Sequence, residues 1–179
     1  MPGKNPAEAV RAYLHPLQQS LSCFSTVVLR SDGYDPDVIH TVTLPDPTVE
    51  LITRDEEILH LSFVQHFNIE HTLLLGWKVR TRLYMYSLEC PDSNEIFAFH
   101  WHPDATPANP VSYPHLHISA GAGERIRREV REIHFRTDRV AFEEFALILI
   151  ENFQVDTRRP DARLLLAENL VRFKRHKTW

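Results

Sequence analysis

Hydrophobic and polar positions alternate most strictly in the middle of the chain, and that pattern predicts a sheet. From Leu75 to Leu88 the apolar residues Trp77, Val79, Leu83 and Met85 fall on one face of an extended strand. Lys78, Arg80, Arg82, Tyr84 and Tyr86 fall on the other, because successive side chains of a strand point to opposite sides. Cys90 to Asn94 reads as a turn, and Glu95 to His102 as the antiparallel return strand. In that return Phe97, Phe99 and Trp101 share one side, while His100 and His102 share the other. A shorter run around Pro114-His115-Leu116-His117-Ile118 repeats the arrangement, with Leu116 and Ile118 inward and His115 and His117 outward. If both runs join one sheet, four imidazoles occupy a common surface.

The flanks are patterned differently. Ala7, Val10, Leu14, Leu17 and Leu21 recur at helical spacing, and Pro16 predicts a kink or two short pieces. Phe24 to Arg30, Val38 to Leu44 and Val49 to Thr53 read as short strands, and Leu59 to Ile69 as one or two more. Ser31-Asp32-Gly33 and Pro45-Asp46-Pro47 read as turns. Four prolines between Pro103 and Pro114 predict a loop of restricted freedom, and Glu124 to Glu132 a short helix or a solvated loop. Thr137 or Asp138 is suited to cap a helix from about Arg139 to Phe153, with Ala141, Phe145, Ile148 and Leu149 facing the core. A last helix is expected after Pro160. The expected fold is α+β: an antiparallel β-sheet flanked by an N-terminal helix and two C-terminal helices, in a single domain over residues 1–179.

Composition narrows the function classes. With 43% hydrophobic residues among 179, the chain can bury a core without disulfides or a structural metal. Cys23 and Cys90 carry no metal or redox spacing, no apolar run reaches the roughly 20 residues of a spanning helix, and the first residues lack a secretion signal. A cytoplasmic protein with no membrane partner is the expectation. A net charge of -4 argues against a plain nucleic-acid clamp, yet the charge is uneven. Eight acids against one arginine lie between Asp32 and Glu57, whereas six arginines against four acids lie between Gly123 and Arg139. A basic site on an acidic body is compatible with this, as are ordinary solvated faces.

The chemistry on offer follows from the polar side of the central sheet. Arginine grips phosphate with a planar fork, tyrosine stacks on a splayed base, and histidine exchanges protons near neutral pH. RNA carries its own nucleophile, so two histidines and an arginine suffice in principle for metal-free cleavage. On this reading His100, His102, His115 and His117 are the candidate catalytic residues. Arg80, Arg82, Tyr84 and Tyr86 are the candidate substrate contacts, and neither a metal nor another cofactor is required. The bland alternative is an ordinary polar sheet face. Metal ligation of zinc or manganese by the His-x-His pairs is the other chemical option. Known metal motifs fit poorly: Ala105 stands where the metallo-β-lactamase pattern needs histidine, and the spaced glutamate and glycines of cupins are missing. A 2H phosphoesterase needs two His-x-Ser/Thr motifs, and only His117-Ile118-Ser119 fits. His134 to Arg139 combines a titratable group with two arginines before a helix start, where a helix cap is the simpler reading.

The order Tyr84-Met85-Tyr86, Phe99-His100-Trp101-His102 and Pro114-His115-Leu116-His117 resembles the TumE-type toxins of bacterial toxin–antitoxin systems. The likeness covers about residues 75–118. It departs from that family where His102 occupies an acidic position and Leu116 interrupts a histidine pair, and the N-terminal part is longer. The resemblance implies a growth-inhibiting, RNA-cleaving toxin neutralised by a cognate antitoxin. Two other classes are a non-catalytic protein-interaction component and a metal-dependent hydrolase.

Overall fold

A computed structural model describes residues 2–74, 76–104, 110–123 and 133–176. Leu75, the middle of the proline-bearing loop, the charged 124–132 stretch and the last three residues therefore lie outside the described residues. The fold is α+β, with one antiparallel sheet of eight strands, one N-terminal helix and two C-terminal helices. No described helix is long and apolar enough to cross a membrane.

Helix α1 spans Pro6–Leu21. Asn5 caps it by accepting the Glu8 amide at 2.9 Å, and Pro6 occupies the first turn, where a missing N–H costs nothing. It runs through Pro16 as a single helix, so the two short pieces that Pro16 allowed are not formed. Its apolar face, Ala9, Val10, Tyr13, Leu17 and Leu21, is held by the sheet and the C-terminal helices, so packing outweighs the one lost hydrogen bond. The strands follow: β1 Arg30–Ser31, β2 His40–Thr43, β3 Val49–Ile52, β4 Ile58–Thr72, β5 Gly76–Glu89, β6 Glu95–Trp101, β7 His115–Ile118 and β8 Phe135–Arg136. Their order is β1-β2-β4-β5-β6-β7-β8, with β3 also paired to β4. Phe24 to Leu29, expected as strand, is irregular; only Arg30 and Ser31 pair, with Thr43 and Val42. The turn expected at 31–33 falls at Pro36 and Asp37 instead.

Helix α2 spans Phe142–Asn152 and α3 spans Ala162–His176. Neither Thr137 nor Asp138 caps α2. The N-cap is Ala141, whose backbone N–H donates to Glu144 Oε2 at 2.9 Å. The chain stays extended through Val140 because that amide is already spent on the Tyr84 hydroxyl, at 2.9 Å. All three helices pack together on one face of the sheet. Between them lies an aromatic core in which Phe63 stacks on Tyr86 at 5.5 Å and meets Phe142 edge-on at 5.0 Å. Each fully buried large side chain contributes about 1.5–3 kcal/mol over its exposed state.

One irregularity determines what the other face displays. His66 pairs with Leu83 and Phe67 with Thr81, so β5 carries one residue more than β4, and Arg82 has no partner across the ladder. Such a bulge reverses the phase of alternation beyond it. Val79 and Thr81 face the helices before the bulge; Tyr84, Tyr86 and Leu88 face them after it. The straight alternation expected for 75–88 is corrected here. Tyr84 and Tyr86 are fully buried, whereas Leu83 and Met85 lie on the side away from the helices.

Candidate functional site: a histidine cluster on the open sheet face

The cluster follows from strand register. His100 lies opposite His115 on β6 and β7, and His117 lies opposite Ala98 one pleat further. Paired residues share a side, so these three rings and that of His102 stand on the face opposite the helices, as the alternation predicts. Phe97, Phe99 and Trp101 point the other way and anchor β6 in the core. The core side thus fixes the backbone on which the imidazoles stand.

The rings touch. The His100 centroid is 4.8 Å from His117, 5.7 Å from His115 and 5.7 Å from His102. His115 and His117 are 4.7 Å apart. One ring nitrogen from each of His100, His115 and His117 can be chosen so that all lie within 4.8 Å of one another. The fifth member is His134, at 4.4 Å from His117 and 5.1 Å from His115. Sequence reasoning set it apart as a surface group before a helix. The signal for it is the pairing of His115 with Arg136 and Leu116 with Phe135, which continued one step sets residue 134 opposite His117.

Hydrogen bonding defines which nitrogens are available. His115 Nδ1 lies 2.8 Å from the Tyr113 carbonyl, which only accepts, so Nδ1 carries the proton and Nε2 presents a lone pair. That Nε2 is 2.9 Å from His117 Nε2, so in the metal-free state His117 donates to it. His100 Nε2 is buried and has no hydrogen-bond partner among the described residues. A buried polar atom left this way costs about 1–3 kcal/mol, and a site of function is one reason to retain it. Burial, reinforced by the neighbouring imidazoles, pushes His100 down to about 3 and His117 down to about 4. His102 and His115 are lowered for the same first reason, burial. Four uncharged imidazoles at neutral pH are in the state that ligates metals.

The arginines are placed unequally. Arg82, at the bulge, lines a cavity of about 280 Å³ with His66, His102, Pro103, Asp104, Leu83 and Ile39. Arg80 is further out on the hairpin and pairs with Glu70 at 3.6 Å. Tyr84 and Tyr86, expected to contact substrate, are on the helix side: Tyr84 accepts from the Val140 amide, and the Tyr86 hydroxyl accepts from Gln65 Nε2.

Histidines and a cysteine elsewhere in the fold have structural partners. His40 is buried between Asp32 Oδ1 at 3.0 Å and the Asp35 carbonyl at 2.8 Å. His71 packs on Trp77 at 4.9 Å. Cys23 is buried, which pushes its thiol up to about 11 and suits it to packing rather than attack. No protein family, curated protein or solved structure matches this chain.

Proposed function

We propose that the histidine cluster is a transition-metal centre, with His100, His115 and His117 as ligands, and that the ion serves a hydrolytic reaction. The observation that carries this reading is the convergence of three imidazole nitrogens from His100, His115 and His117, with His100 Nε2 buried and lacking a hydrogen-bond partner among the described residues. Two such nitrogens about 2.1 Å from one ion at a right angle are separated by about 3 Å, close to the 2.9 Å between His115 and His117. Holding both requires only that the His117 proton move to its other ring nitrogen, with no change of charge. The Tyr113 carbonyl fixes the His115 tautomer from behind, as partners of ligating histidines commonly do. Three neutral nitrogen ligands leave coordination positions open, at which an ion supplies an activated water or polarises a bound oxygen. His102 and His134 flank the three and are suited to pass protons between that water and solvent.

The test is metal stoichiometry on protein purified without a histidine tag. One cobalt per chain is expected, with an absorption spectrum of nitrogen ligation. His117→Ala and His100→Ala should each weaken it by about 100-fold or more while circular dichroism stays unchanged. Equal cobalt binding by both variants would end the assignment.

A second reading keeps the metal-free chemistry expected from the sequence: a toxin-like ribonuclease whose RNA substrate supplies the 2'-hydroxyl and whose activity a cognate antitoxin restrains. The direct nitrogen–nitrogen contact of His115 with His117, beside a cavity lined by Arg82, favours it. It also demands one protonated imidazole, which burial in this cluster opposes. RNA cleavage in excess chelator, lost in His115→Ala, would establish it over the metal centre.

A further inference from the structure

The bulge at Arg82 has a role in the same site. An extra residue in a strand re-aims its side chain, and bulges gather beside active sites for that reason. Here the residue so placed is an arginine, and it lines a cavity of about 280 Å³ whose wall includes His66 and His102. His102 in turn lies 5.7 Å, ring to ring, from His100. His102 therefore links the cavity it lines to the three converging imidazoles. Arg82 is the arginine of this cavity: Arg139 stacks 3.4 Å over the Trp101 ring on the helix side of the sheet, and Arg80 pairs with Glu70. Asp104 is the carboxylate among the residues lining the cavity, and it is exposed.

We propose that Arg82, with His66 and His102 beside it, is the anion-holding half of the site, and that the substrate is a phosphate ester bridging Arg82 and the histidine-held ion. This rests on the metal-centre reading above and adds the substrate class to it. A guanidinium presents parallel N–H donors that match two phosphate oxygens. A guanidinium next to a divalent ion favours a multiply charged phosphate over a singly charged carboxylate.

Cobalt-loaded protein, once its stoichiometry is established, is titrated with inorganic phosphate and separately with acetate, following the cobalt spectrum. Phosphate should perturb the spectrum at lower concentration than acetate. Arg82→Gln should weaken phosphate binding at least about tenfold while leaving the cobalt affinity in place, and Arg82→Lys should restore part of it. Asp104→Asn should tighten phosphate binding by removing a like charge. Cobalt bound normally but phosphate held equally by Arg82→Gln would overturn the subsite and leave the metal centre standing. Equal affinity for acetate and phosphate would overturn the substrate class. No cobalt bound at all would remove both.

Discussion

Glu143 provides a quantitative test of how the helical layer sits on the sheet. Its side chain is 2% exposed, beneath α1 and α3, and Oε1 accepts from the Ser20 hydroxyl at 3.1 Å. Ser20 is held in turn by Asn169, at 3.3 Å. No described cation forms an ion pair with the carboxyl, and burial pushes it from 4.5 up to about 7. A rise of that size corresponds to about 3 kcal/mol. The folded state keeps a proton between pH 4.5 and 7 that the unfolded chain has released. The unfolded state therefore binds fewer protons there, and this group's contribution to stability falls as pH rises through the window. Glu143→Gln keeps the shape and the acceptor but never ionises. At pH 5 the variant should be more stable by less than about 1 kcal/mol, and at pH 8 by up to about 3 kcal/mol. For a chain of this size that is roughly 6–12 °C in the thermal midpoint. Thermal or urea unfolding of both proteins at pH 5, 6, 7 and 8 measures it. The buried histidines have the opposite dependence, losing stability as pH falls below 6.5, but they are common to both proteins and cancel in the difference. A difference that does not change with pH would refute the burial of an uncompensated carboxyl at this position.

Tyr86→Phe should destabilise by about 1–3 kcal/mol in urea, because Gln65 loses a buried partner. Its effect on cobalt or phosphate binding should be negligible; a selective loss of binding would place Tyr86 at the ligand after all. Gly121→Ala should lower the thermal midpoint, since a β-carbon there meets the Asn94 carbonyl oxygen at 2.5 Å and the Glu95 carbonyl oxygen at 2.8 Å, both backbone atoms with little freedom to yield. An unchanged midpoint would show that the turn before β6 relaxes freely. Asp32→Asn should destabilise by up to about 1 kcal/mol in urea unfolding, because the buried His40 ring loses the carboxylate it meets at 3.0 Å. Unchanged stability of the variant would exclude that pairing in solution.

Which side of β6 and β7 carries histidine was legible from the chain alone. Alternation of Phe97, Phe99 and Trp101 with His100 and His102 is a local property, and a strand has only two sides to offer. The same holds for the 90–94 turn and its antiparallel return, where one hairpin leaves little freedom of register. The amphipathic stripe of α1 and the apolar positions of α2 were legible for the equivalent reason at helical spacing.

The bulge was not. Lys78 to Tyr86 reads equally well as an unbroken alternation, and only the simultaneous demand to bury Phe67 and Ile69 with Val79 on one side of the break, and Phe63 with Tyr86 on the other, forces an extra residue at Arg82. That single insertion moved two tyrosines from the polar face into the core and left an arginine at the cavity. His134 entered the cluster in the same way, through a pairing between β7 and β8 that no local pattern announces. Nor does spacing along the chain reveal that His100 Nε2 would be buried without a hydrogen-bond partner among the described residues, since that depends on which rings crowd it from a neighbouring strand. Face and period are set by neighbours one or two residues away; the meeting of side chains from separate strands is set by register, and register is decided only when the whole sheet closes on its helices.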